Sequence, residues 1–149
     1  MTEHNDDLKP LAIEGQLPLK PVGFENLRES NPGHMPPHRY IHPWFARRPT
    51  AATRLAILSS VLPQDVSNDE LLNLMCIGPR RDLNRDITDY VLEKFASKDN
   101  RSGSIEEHFG YEYPHRNVPP AAELDELHDQ LRSQWNGELP TVIDPTAGG

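Results

Sequence analysis

Arg47 and Arg48 are the residues of this chain best equipped for recognition chemistry. They close a proline-rich stretch directly after Trp44, Phe45 and Ala46, so two planar guanidinium forks stand next to aromatic side chains. That combination suits an anion held bidentately or a base held by stacking. His42 and Arg54 flank it and extend the same basic stripe for an anion or a DNA phosphate. A competing reading pairs the arginines with acidic residues of the domain and places Trp44 in the core, since surface ion pairs are common and cheap.

The second stretch with binding chemistry is Thr141-Val142-Ile143-Asp144-Pro145-Thr146-Ala147-Gly148-Gly149. A β-branched run that stops at an acidic residue and passes into Pro and small residues reads as a buried strand delivering a tight loop. Gly148 and Gly149 lack a Cβ, so the backbone can take positive φ and approach a nucleotide-like cofactor closely. Asp144 can hydrogen-bond a ligand hydroxyl or amine. The helix whose N–H groups would complete such a loop is not in the sequence, so the expectation is the leading part of a cofactor-binding enzyme, ending at its first loop.

Two other groups of reactive side chains read as structural. His34, His38 and His42 recur every four residues, but Pro36, Pro37 and Pro43 forbid the helix that would put them on one face. Without a carboxylate or thiol at ligand spacing, no metal site is expected. Cys76 lies in an apolar run with no basic neighbour to lower its pKa, which suits a buried small hydrophobe better than a nucleophile.

The 149-residue chain has a formal net charge of −8, 36% hydrophobic residues and fifteen prolines, so a single polar, loop-rich domain with a small core is expected. No acidic residue occurs from Ser30 through Gln64, where four arginines give +4 and leave −12 for the remainder. One basic stripe therefore stands on an acidic background, which excludes a generally basic coat for nucleic acid. A single cysteine excludes an intrachain disulfide, and the absence of a long apolar run or signal-peptide pattern implies no membrane partner and a cytoplasmic location.

The elements that must position these groups follow from periodicity. Residues 1–10 form a flexible leader ahead of a body over 11–149. Leu11 to Lys20 permits a short extended segment, and Pro21 opens a helix through Glu29. Residues 34–49 form a loop, and Pro49 is the first residue of a helix running to Leu62, apolar nearly all round and thus buried between other elements. Ser67-x-x-Glu70 is a capping box for a helix stopped by Gly78-Pro79, and Leu83 to Ala96 is a third helix. Residues 98–118 make a long excursion anchored by Phe109, Tyr111 and Tyr113. Pro120 starts a last helix with Leu124, Leu127, Leu131 and Trp135 on one stripe, ended by Gly137.

Two motifs carry a family resemblance over about Leu17 to Gly149. His42-Pro-Trp-Phe-Ala-Arg-Arg-Pro49, followed by Thr50-Ala-Ala-Thr-Arg54, resembles the Trp-Ala-Arg-Arg-Pro signature of a domain of unknown function. That domain opens large prokaryotic adenine-specific DNA methylases, some of them in anti-phage loci. Asp144 to Gly149 resembles the Asp-Pro-Phe-x-Gly-Gly form of their S-adenosylmethionine loop. The family commonly has Trp at Phe45 and Phe at Thr146. The resemblance implies that Asp144, Pro145, Thr146, Ala147, Gly148 and Gly149 line the cofactor and that Arg48-Pro49 and the following helix touch its methionine end. It further implies that Arg47 and Arg48 meet the cofactor carboxylate or a DNA phosphate, that Trp44 walls the pocket and that residues 63–139 are an insertion. The family's catalytic Asn/Asp-Pro-Pro-Tyr/Phe segment is nowhere in the chain; Pro36-Pro37 follows Met35 and does not qualify.

The expectation is thus an α/β chain: a mostly helical part leading into the first strand of a Rossmann-like methyltransferase sheet. Its function would be that of the N-terminal fragment of an S-adenosylmethionine-dependent DNA adenine methyltransferase serving restriction-modification or phage defence, without catalytic residues and inactive alone. The alternative is a non-catalytic DNA-binding or assembly module that meets a separately encoded methylase half.

Overall fold

Five α-helices and two single 3-10 turns organise the residues that the computed structural model describes, 8–29, 49–79, 86–97 and 109–143. The helices are α1 (Leu19–Glu29), α2 (Thr50–Ser59), α3 (Asn68–Leu74), α4 (Ile87–Ala96) and α5 (Ala121–Gln134); the turns are Ala12–Glu14 and Pro114–Arg116.

Each helix starts where the local chemistry supplies acceptors or tolerates a missing donor. Pro21 falls in the first turn of α1, where backbone N–H groups have no intrahelical partner. Ser67 caps α3 by accepting from Glu70 N at 3.1 Å, and Asp86 caps α4 by accepting from Thr88 N at 2.6 Å and Asp89 N at 3.3 Å. Pro49 and Pro120 precede α2 and α5 in extended conformation, one residue earlier than a first helical position.

The end of α3 departs from the expected Gly78-Pro79 stop. Cys76 takes a left-handed conformation with φ 61°, its N–H bonded to Asn73 O at 2.9 Å, while Ile77 N reaches Leu72 O at 2.8 Å. This is a Schellman turn with cysteine where glycine is usual. The cysteine is buried, so packing compensates for the strain of its backbone.

The core is one continuous apolar body in two lobes. Val22 from α1, Ala51 and Leu55 from α2, Leu72, Met75 and Ile77 around the end of α3, and Ile87, Tyr90 and Val91 from α4 form the first. Ala12, Leu62, Leu71 and Leu74 form the second, covered by Leu127 and Leu131 of α5. Leu17 and Leu58 pack against both, and each fully buried leucine contributes about 1.5–3 kcal/mol. Helix α2 buries one face, Ala51, Leu55 and Ser59, while Ile57 remains 43% exposed, so it lies on the core and is not enclosed by it.

The expected α/β class is overturned: no β-strand occurs among the described residues, and the Rossmann-like sheet is absent from them. Thr141, Val142 and Ile143 form no strand, with Val142 57% and Ile143 78% exposed. β-branched residues favour a strand only where a neighbouring strand takes their backbone groups and a surface covers their side chains, and the helical body offers neither. The extended pairing near Leu11 is a single antiparallel bridge to Pro63, with Ala12 N bonded to Leu62 O at 2.9 Å and Gln64 N to Pro10 O at 2.7 Å. Residues 1–7 of the expected leader over 1–10, residues 34–48 of the expected loop over 34–49, and the expected cofactor loop over 144–149 lie outside the described residues.

Candidate functional site

The C-terminal half of α1 and the first turn of α2 build a junction at the point where the basic stripe joins the helical body. Glu29, buried at 3% exposure, accepts from Thr50 N at 2.8 Å and from Thr50 Oγ1 at 3.0 Å. Asn26 Oδ1 accepts from Ala52 N at 3.2 Å. Pro49 has no side-chain acceptor and cannot cap α2 itself, so α1 supplies the cap across the junction. A carboxylate at this end is also favoured by the helix dipole.

Beneath the junction lies a buried charge network. Arg28 Nη1 donates to Glu25 Oε1 at 2.8 Å and Oε2 at 3.0 Å, and the Tyr111 hydroxyl donates to Glu25 Oε1 at 2.5 Å. The guanidinium carbon sits 4.1 Å from the Phe109 ring centroid, 4.6 Å from Tyr113 and 4.9 Å from Tyr111. Three aromatic rings thus surround one cation, which compensates for its loss of water. Burial pushes the Glu25 carboxyl above its usual range, against the pull of Arg28 and the Tyr111 bond. The Tyr111 phenol is raised well above 10, by burial first and then by the Glu25 charge, so it remains a donor. Phe24 stacks on Phe95 at 4.4 Å, and Phe95 meets Phe109 at 4.9 Å, which ties α1, α4 and the aromatic run together.

Of the site residues read from sequence, Pro49 and Arg54 fall within the described residues; His42, Trp44, Arg47, Arg48 and Asp144 to Gly149 lie outside them. Arg54 is half-buried on α2 and donates from Nη1 to Met75 O at 3.2 Å and Pro114 O at 2.8 Å, and from Nη2 to Asn117 O at 3.1 Å. It therefore joins α2 to the end of α3 and to the 114–116 turn. The first α2 amides are occupied by Glu29 and Asn26, so this helix terminus offers no vacant N–H cluster to a cofactor carboxylate. Arg47 and Arg48, assigned by resemblance to that carboxylate or a DNA phosphate, and residues 144–149, assigned to line the cofactor, are outside the described residues.

Sequence reasoning missed Glu25, Arg28 and Glu29. Glu25 and Arg28 stand three apart, the spacing of a helical ion pair, which was the available signal. Their burial was not deducible, because such pairs are usually solvated.

Among the described residues no group of three His, Cys, Asp or Glu could hold a metal ion, and no helix is long and apolar enough to cross a membrane. No curated protein and no solved structure matches the chain. Residues 16–75, from just before α1 to the turn that ends α3, match the family described as protein of unknown function, DUF1156.

Proposed function

We propose that this chain is the leading, non-catalytic part of an S-adenosylmethionine-dependent DNA adenine methyltransferase, with Arg47 and Arg48 contacting a DNA phosphate or the cofactor carboxylate. Two sequence features support the reading: the stripe from His42 to Arg54 and the Asp144 to Gly149 segment. The structural observation that carries it is the cap that α1 places on α2. Glu29 fixes Thr50, and with it Pro49, the residue bonded to Arg48. A recognition arginine gains from a rigid point of attachment, since less freedom is lost on binding.

In this reading S-adenosylmethionine supplies the methyl group, and Asp144 to Gly149 bind it in the complete enzyme. The sequence holds no Asn/Asp-Pro-Pro-Tyr/Phe segment to accept the target amine, so no methylation of DNA is expected from the chain alone. Transfer of tritium from labelled S-adenosylmethionine to duplex DNA by the purified chain would refute that part. Arg48→Ala in a longer protein carrying both motifs and the catalytic segment should weaken DNA or cofactor binding by roughly tenfold to a hundredfold, the worth of a charge-assisted hydrogen bond. Unchanged binding of both would remove the assignment.

A second reading, an assembly module for a separately encoded methylase half, is favoured by one observation. The described helices close a core of their own without any strand.

A further inference from the structure

We draw no further inference here: the strongest candidate, the apolar face of α1 on which Leu19 and Leu27 stand exposed to either side of Gly23, carries nothing because nothing in the structure shows what covers it.

Discussion

The carboxylate of Glu29 caps a helix to which it does not belong, holding Thr50 by its backbone N–H at 2.8 Å and by its hydroxyl at 3.0 Å. Twenty residues of sequence separate the two, including all of the basic stripe except Arg54. The bond therefore ties together the two ends of the segment of sequence that carries Arg47 and Arg48.

Glu29→Ala should destabilise the fold by about 2–3 kcal/mol, because it leaves the first α2 amide without its charged acceptor. Thr50→Val, which removes only the hydroxyl bond, should cost about 1 kcal/mol. Urea unfolding of both variants checks the order. A Glu29→Ala loss below about 0.5 kcal/mol would show that the cap is dispensable.

The buried network gives stability a defined pH dependence. Burial holds the folded-state pKa of Glu25 above its ordinary value of 4.5, so its contribution is fully present below 4.5 and is lost as pH rises through the higher folded value. The advantage of wild type over Glu25→Gln should thus shrink on going from pH 4 to pH 7. Glu25→Ala should cost about 3–5 kcal/mol, since Arg28 is left buried without its carboxylate. At the alkaline end Tyr111 favours the fold below pH 10, and that contribution disappears as pH rises through its raised folded pKa. Melting temperature followed across both ranges, with Tyr111→Phe as the alkaline control, measures each limb.

Three glycines with positive φ separate backbone strain from collision. A Cβ at Gly78 (φ 91°) would lie 2.5 Å from Ile87 Cγ2, and one at Gly110 (φ 76°) would lie 2.7 Å from the Tyr90 hydroxyl. That hydroxyl holds Phe109 O at 2.8 Å, so displacing it breaks a bond. Nothing lies within 4 Å of a Cβ at Gly137 (φ 92°). Gly137→Ala should cost about 1 kcal/mol, the strain alone, and Gly78→Ala about 2–4 kcal/mol. Equal losses would contradict the packing described around Ile87.

Cys76 gives a matching test in the opposite sense. Its φ of 61° tolerates a small side chain poorly and a β-branched one hardly at all. Cys76→Gly should change stability by less than about 1 kcal/mol, as relief of strain offsets lost burial, whereas Cys76→Val should cost about 2 kcal/mol or more. Thermal unfolding under reducing conditions distinguishes the two.

What the sequence made legible was local. Ser67 before Glu70, Pro120 before a leucine stripe and Pro21 before Val22 are short-range signals, and α3, α5 and α1 lie where they point. Phe109 and Tyr113, read as anchors, are buried, while residues 98–108 of the expected excursion lie outside the described residues. The strand at Thr141 failed because strand formation depends on a partner that no local pattern reports. The α1–α2 cap was invisible for the same reason. Glu29 and Thr50 are distant in sequence, and an acidic residue at a helix end reads as solvated until its partner is known. Arg54 reads from sequence as part of a binding stripe, while in the fold its guanidinium also fastens three carbonyls.

The recognition role proposed for Arg47 and Arg48, which precede Pro49 and α2 in the sequence, is open to one decisive measurement. Its most direct test is fluorescence anisotropy of duplex DNA with the purified chain and with Arg47→Ala/Arg48→Ala, measured over a range of salt. Weak binding, with a Kd of about 1–100 μM, is predicted for the wild-type chain; the double variant should bind at least tenfold more weakly, with its salt slope reduced by about two. Identical affinity and identical salt slope in the two proteins would contradict the claim.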